Sequence, residues 1–134
     1  MPSINIKGQE YSYLDDEIIN FTEGLVGLPE MRRAVLIPLP EYEPFFWLAS
    51  MDDERNRFIV VDPHEIFSDY KPAEFAALDE SDTNTLVIVK ISSDWRKTTV
   101  NLRAPIFIHK ESNCGVQMVL TESPYQLLES LPQN

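Results

Sequence analysis

Few of the residues that phosphate binding and nucleophilic catalysis require are present in this sequence. Its 134 residues include four glycines, at positions 8, 24, 27 and 115. They form neither a P-loop nor a dinucleotide-binding fingerprint. His64 and His109 are the two histidines, and no motif for a nucleophile on a sharp turn accompanies either of them. The sequence therefore gives no support to nucleotide chemistry or to triad catalysis.

Cysteine is equally scarce, because Cys114 is the only one. A single thiol cannot form an intramolecular disulfide or a multi-cysteine zinc site, and a bystander thiol is expected here rather than a nucleophile. Oxygen and imidazole ligands do occur close together in Asp62, His64, Glu65 and Asp69. Their spacing matches no established metal motif, and a helix-capping Asp62 with solvated neighbours explains the same residues. We predict no metal and no cofactor.

Long apolar runs are also absent, so no segment approaches the roughly 18 residues needed to cross a bilayer. The first residues, Met1 to Asn5, lack a basic region followed by an apolar stretch, which is the pattern of an export signal. We expect no membrane association and a cytoplasmic location. The length suits one domain spanning residues 1–134, and the 43% hydrophobic content is high enough for that domain to fold alone.

Acidic residues are abundant and unevenly placed. Residues 41–82 contain twelve acids and three bases, which accounts for −9 of the formal net charge of −11. The runs at 52–54 and 79–82 predict a negative field on one side of the domain, able to steer a basic protein and to repel nucleic acid. Acidic loops that only keep the domain soluble are the alternative.

Short β-branched and aromatic segments separated by turn residues are typical of a mostly β domain. Strands are predicted at residues 4–6, 17–21, 34–39, 45–51, 58–61, 86–91, 98–108 and 115–120. A short helical turn is predicted after Asp62, another short helix at residues 72–78, and a C-terminal helix after Ser123-Pro124 that carries Tyr125, Leu127, Leu128 and Leu131. No repeat, linker or low-complexity segment interrupts the chain.

The strand at residues 98–108 alternates with period two. Val100, Leu102, Ala104, Ile106 and Ile108 fall on one face, and Thr99, Asn101, Arg103, Phe107 and His109 on the other. One buried face is therefore predicted. Pro105 cannot donate to a sheet ladder, so it indicates a bulge, a bend or an edge, as where a strand passes between sheets of a small barrel.

An aromatic cluster occupies Tyr42, Phe45, Phe46 and Trp47. Alternation cannot bury all four on one face; if Phe45 and Trp47 point inward, Phe46 points outward or lies under a loop. The cluster is therefore either core or an interface anchor beside acidic residues. Basic residues interleaved with aromatics, the pattern for single-stranded RNA binding, do not form a cluster, which disfavours direct RNA binding.

Several segments spread along the chain form a recognisable set: residues 19–27 (INFTEGLVG), 58–63 (FIVVDP), 67–70 (FSDY), 99–108 (TVNLRAPIFI), 115–120 (GVQMVL) and Tyr125. Together, over nearly the whole chain, they resemble the bacterial flagellar assembly factor FliW family. The segment at 99–108 is the most specific, because it is similar to the family's Val-Asn-Leu-x-Ala-Pro strand. The glycine loop departs from the family, which commonly has an aromatic residue where this chain has Leu28-Pro29.

This resemblance implies a single small antiparallel β-barrel-like domain with short peripheral helices and no catalytic activity. It also implies two partners: CsrA, a basic dimeric RNA-binding repressor, and cytoplasmic flagellin. In such a switch, the factor antagonises CsrA when flagellin is scarce and is sequestered by flagellin when flagellin accumulates. The free protein is expected to be a monomer. The candidate contact residues are Asp52, Asp53, Glu54, Asp79, Glu80, Asp82, Phe46 and Asn101.

Two other classes of function stay open. A small barrel can bind or transform a ligand at its mouth, and a basic, aromatic-lined pocket would favour that alternative. A structural subunit of a larger assembly would instead expose a large apolar patch.

Overall fold

Short β-strands dominate the computed structural model, which describes residues 2–132. The strands are β1 (Ser3–Ile6), β2 (Gln9–Ser12), β3 (Ile19–Phe21), β4 (Arg33–Pro38), β5 (Phe46–Ser50), β6 (Arg57–Val61), β7 (Thr83–Lys90), β8 (Thr99–Val100), β9 (Ile106–His109), β10 (Cys114–Gln117) and β11 (Glu129–Ser130). One α-helical turn, α1 (Ala73–Ala76), and four 3-10 turns, at Asp15–Glu17, Pro63–Glu65, Glu80–Asp82 and Trp95–Lys97, connect them.

Seven of these strands close into a barrel in the order β7, β6, β5, β4, β3, β10, β9 and back to β7. All neighbours are antiparallel except β3 and β10, which are parallel. The β1–β2 hairpin forms a separate two-stranded sheet, and β8 and β11 extend the ladder beyond β7. The prediction of a mostly β, barrel-like fold is confirmed.

Alternation along the strands divides the apolar residues between the barrel interior and its outer face. The interior contains large side chains such as Phe21, Met31 and Leu48, which are fully buried. On the outer face, the β1–β2 hairpin covers Val35 and Ile37. A filled interior leaves binding to the barrel ends and the outer surface.

The predicted strand at residues 98–108 is interrupted by a bulge. β8 ends at Val100, which pairs with Val89 of β7, and β9 begins at Ile106, which pairs with Leu86. Residues 101–105 between them therefore lie opposite only Val87 and Ile88 of β7. Pro105 lies in this bulge, as predicted. Both flanking strands pair with β7, so the bulge does not carry the chain from one sheet to another.

The burial predicted for this segment is confirmed, but its residues do not share one face. Val100 and Leu102 belong to a cluster outside the barrel, whereas Ile106 and Ile108 belong to the interior. The bulge changes the alternation between the two pairs. Phe107, predicted on the opposite, polar face, is also buried, beneath α1 and Leu120.

Both short helices predicted in the middle of the chain are confirmed. Pro63–Glu65 forms a 3-10 turn, and the Asp62 carboxylate caps it by accepting from the His64 amide at 2.9 Å. Helix α1 falls inside the range predicted at residues 72–78.

The predicted C-terminal helix is wrong. Residues 124–128 run as turns and irregular backbone into β11, which pairs with β8. The carbonyl of Gln126 accepts from the amides of Leu102 and Arg103 at 3.0 and 3.2 Å. A helix would leave these bulge amides without that acceptor, so long-range pairing overrides the local helical pattern.

Candidate functional site

The acidic run at residues 52–54 lies in the loop between β5 and β6, where arginines pair with two of its three charges. The Asp52 carboxylate accepts from Arg33 at 2.9 Å, and Asp53 from Arg55 at 2.9 Å. The side chain and amide of Arg55 lower the pKa of Asp53 to about 2. Glu54 alone in this run has a carboxylate that makes no ion pair within residues 2–132.

The second run, at residues 79–82, lies at the start of β7. Asp79 caps the 3-10 turn at Glu80–Asp82, and hydrogen bonds from the hydroxyl and amide of Ser81 lower the pKa of Asp79. The carboxylate of Glu80 lies 4.0 Å from His64 Nε2. The turn therefore presents the carboxylates of Glu80 and Asp82 at the surface, where both residues are exposed.

The two acidic runs do not form one surface, contrary to the prediction. β6 follows the first run, β7 follows the second, and the two strands are antiparallel. The runs consequently lie at opposite ends of the ladder. The eight residues of β7, at a rise of about 3.3 Å per residue, separate them by roughly 26 Å.

The second run instead adjoins a recess at one end of the barrel, which we call the acidic mouth. Its rim carries the carboxylates of Asp16, Glu17 and Asp62. Its floor is apolar, and its walls add two amides and a hydroxyl. The floor residues are Ile19, Leu36, Phe46, Leu86 and Ile108, and the wall residues are Asn84, Thr85 and Asn113.

Local hydrogen bonds fix the rim on both sides. The Glu17 carboxylate accepts from the Leu14 amide at 2.7 Å. The Asn113 side chain donates to the carbonyls of Asp16 and Ile18 at 3.3 and 2.8 Å, which ties this turn to the connection between β9 and β10. The rim is therefore preformed.

The opposite side of the rim continues into the 79–82 run. Asp62 accepts from the His64 ring at 3.1 Å, and the same ring lies within 4.0 Å of Glu80. The carbonyl of Asp82 accepts from the Lys110 amide at 2.9 Å. Carboxylates thus outnumber cations around an apolar floor, an arrangement that suits a lysine or arginine with its apolar stem buried and its charge at the rim.

Asp16, Glu17 and Asp62 were not among the predicted contact residues. The sequence showed their charges, but the first two lie far along the chain from the main acidic segment. Pairing of β6 with β7 brings Asp62 beside the 79–82 run. Closure of the barrel through β10 and β9 brings Asp16 and Glu17 there. Within residues 2–132, no group of three His, Cys, Asp or Glu side chains is positioned to hold a metal ion.

Phe46 is half-buried and forms part of this apolar floor, packing against the barrel interior. The sequence predicts that Phe46 points outward if Phe45 and Trp47 point inward. The structure shows the reverse arrangement, because Phe46 points inward. Trp47 faces outward and packs with the cluster beneath the β1–β2 hairpin. Phe45 packs with the outer cluster that contains Val100 and Leu102.

Asn101 lies away from the mouth and organises the bulge. Its side-chain oxygen accepts from the amides of Arg103 and Ala104 at 3.1 and 3.0 Å. The buried Tyr70 hydroxyl donates to the Leu102 carbonyl at 2.6 Å, and burial raises the pKa of that hydroxyl. These bonds give the Asn-Leu-x-Ala-Pro segment a structural explanation.

The glycine loop between β3 and β4 also has a packing explanation. Leu25 and Leu28 exchange backbone hydrogen bonds at 3.1 and 2.9 Å, and both side chains pack against the barrel interior. Gly24 has a φ of +69°, and a Cβ there would lie 2.3 Å from the Pro29 carbonyl oxygen. Leu28-Pro29 therefore makes a compact closed turn in this chain.

Comparisons with known proteins agree with this architecture. The family model described as FliW protein matches residues 6–131. The flagellar assembly factor FliW of Clostridium beijerinckii is 35% identical over 133 residues, covering 91% of this chain and 92% of its own length. That of Bacillus pumilus is 32% identical, covering 87% and 85% respectively.

A solved structure extends the agreement to three dimensions. The crystal structure of a flagellar assembly factor FliW superposes with a TM-score of 0.85 at 26% identity and covers 99% of both chains. No helix within residues 2–132 is long and apolar enough to span a membrane. Family model, sequence relatives and fold all agree, and the chain belongs to the FliW family of flagellar assembly factors.

Proposed function

We propose that this chain is a non-enzymatic partner switch that binds and antagonises CsrA and also binds cytoplasmic flagellin. When flagellin is scarce, the chain relieves CsrA repression; when flagellin accumulates, it is sequestered and flagellin translation falls. It acts in the cytoplasm and is a monomer when free. Membership of the FliW family supports this proposal.

The observation that carries the CsrA half of the proposal is the acidic mouth. Hydrated rim carboxylates around an apolar floor suit a basic protein surface, and a net charge of −11 favours encounter with such a surface. Among the predicted contact residues, the steering carboxylates are then Glu80 and Asp82 of the adjoining 79–82 run, and Phe46 lies in the floor of the mouth. The alternative of a ligand bound or transformed at the barrel mouth would be favoured by a basic, aromatic-lined recess. Among the described residues, the lining of this mouth instead contains three acids, no lysine or arginine, and Phe46 as its one aromatic residue.

The test compares two charge reversals of equal size. The mouth variant carries Asp16→Lys, Glu80→Lys and Asp82→Lys, and none of these three side chains caps a turn. The control variant carries Glu30→Lys, Glu54→Lys and Glu122→Lys, all exposed and away from the mouth. Circular dichroism establishes that both variants are folded.

We expect the mouth variant to associate with CsrA about tenfold more slowly than the control at low salt. The difference should shrink near 1 M salt, where the screening length is about 3 Å. Flagellin binding should change less, and release of repressed mRNA should weaken in the mouth variant alone. Equal CsrA association rates for two folded variants would exclude the mouth as the steering site.

A further inference from the structure

A second surface, which we call the aromatic groove, lies on the outer face of the barrel. It runs between the β4–β5 loop, the outer faces of β5 and β6, and the β7–β8 loop. Its apolar lining includes Tyr42, Phe45, Trp47, Ile59, Ile91 and Trp95. Tyr42 is 65% exposed and Trp95 51% exposed, so large aromatic surfaces face solvent at the edges of the groove.

The groove is preformed by contacts between its two loops. The rings of Phe45 and Trp95 meet edge to face with their centroids 5.9 Å apart. The Asp94 carboxylate caps the turn that carries Trp95 by accepting from the Arg96 amide at 3.1 Å. In the other loop, the Leu39 amide donates to the Phe45 carbonyl at 3.0 Å. Little ordering of the groove would therefore be required on binding.

The charged residue in the groove lining is a lysine, although the protein as a whole is acidic and Glu41, Glu43 and Asp94 are sequence neighbours of the exposed aromatic residues. Among residues 2–132, Lys7 is the one lysine or arginine that lines the groove, and no aspartate or glutamate lines it. The Lys7 ammonium and the Arg57 guanidinium each lie 5.5 Å from the centre of the Trp47 ring. Lys90 and Lys97 line an adjoining recess that shares Ile91 with the groove. An otherwise acidic chain thus places cations beside its exposed aromatic residues.

We propose that the aromatic groove binds an acidic amphipathic peptide segment of a partner protein. Aliphatic or aromatic side chains of the segment lie between Trp47 and Trp95, and a carboxylate approaches Lys7 and Arg57. Charge complementarity selects this occupant, since the two cations would repel a basic segment, whereas an acidic segment gains an attraction that an uncharged one lacks. The site is separate from the acidic mouth and does not depend on the function proposed for the mouth.

Trp47 and Trp95 are the only tryptophans in the sequence, so intrinsic fluorescence reports directly on this groove. The probe is a displayed library of random 12-residue peptides, selected on the wild-type protein and counter-selected on folded Trp95→Ala. The counter-selection retains the acidic mouth and removes peptides that bind there. We expect the enriched peptides to combine apolar residues with net negative charge.

One enriched peptide is then synthesised in three forms, in which all its acidic residues are Glu, Gln or Lys. Each form is titrated into the protein, and binding is followed by tryptophan fluorescence. We expect the Glu form to bind about three- to tenfold more tightly than the Gln form, and the Lys form most weakly. The double variant Lys7→Gln and Arg57→Gln should lose this preference. The matched control, Lys71→Gln and Lys110→Gln, removes two cations that do not line the groove and should keep it.

Three results would overturn the proposal. One is a failure of any peptide to enrich over the Trp95→Ala background, and another is enrichment of neutral or basic peptides. The third is concentration-dependent dimerisation in sedimentation experiments that Trp95→Ala abolishes, because a second copy of this chain would then occupy the groove. Circular dichroism of every variant separates these outcomes from loss of folding.

Discussion

Asn101 provides a test of whether the most family-specific segment is structural or a partner contact. Its side-chain oxygen accepts from the amides of Arg103 and Ala104. The Arg103 amide has a second acceptor, the carbonyl of Gln126 at 3.2 Å. Ala104 is 3% exposed, and its backbone amide would lose the Asn101 oxygen as its acceptor. Asn101→Ala therefore leaves one buried donor unsatisfied, which costs about 1–3 kcal/mol of folding free energy.

The assay is urea unfolding monitored by fluorescence. With an m value of about 2 kcal/mol/M, the midpoint should fall by roughly 0.5–1.5 M for Asn101→Ala. Asn101→Asp is the matched control, because a carboxylate oxygen of the same shape can accept from both amides, and it should retain most of the stability. An alanine variant as stable as the wild type would refute the reasoning, and so would an aspartate variant that loses as much as alanine. Loss of CsrA binding in a stable aspartate variant would instead identify Asn101 as a contact.

Two further predictions concern the loops. Gly24→Ala should lower the free energy of unfolding by about 3 kcal/mol or more, and Gly27→Ala by about 1 kcal/mol. Both glycines have positive φ, but only a Cβ at Gly24 meets the Pro29 backbone. Equal urea midpoints for the two variants would contradict this. Arg55 lowers the pKa of Asp53 from 3.8 to about 2, so the pair stabilises the fold above pH 3.8 and the effect is lost as pH falls towards 2. The difference in urea midpoint between the wild type and Asp53→Asn should therefore be present at pH 7 and shrink steadily as pH falls from 3.8 to 2, and a difference that keeps its full size at pH 2 would show that it has another cause.

Local sequence patterns predicted those parts of the fold that depend on neighbouring residues. Short β-branched and aromatic segments located most of the strands, though not β2 or β11. Asp62-Pro63 located a capped turn, and Pro105 located the bulge. The prediction of a C-terminal helix was wrong because it also used local signals only. In the structure, the Gln126 carbonyl is an acceptor for the distant amides of the bulge. Short-range propensity gives no information about such an acceptor, so it predicts the wrong element there.

The aromatic run shows a second limit of local pattern. Residues 45–47 are all apolar, so the sequence contains no alternation from which to read the inward face. Pairing decides it: Leu48 lies opposite Leu36 of β4 and Phe58 of β6, and Leu48 is fully buried in the interior. Phe46, two residues earlier on the same strand, must share that face.

The candidate site depends on topology even more strongly, because charge counting along the chain does not give the field at a surface. The run at 52–54 has the same number of acids as the rim residues Asp16, Glu17 and Asp62, yet Arg33 and Arg55 pair with two of its charges. At the mouth, pairing of β6 with β7 and closure of the barrel together bring carboxylates from three segments of the chain to one place. On the outer face, folding brings Lys7 and Arg57 to the same tryptophan ring. Steering of a basic partner should therefore follow the pairing of charges in the folded barrel, and not the acidic middle third as a whole.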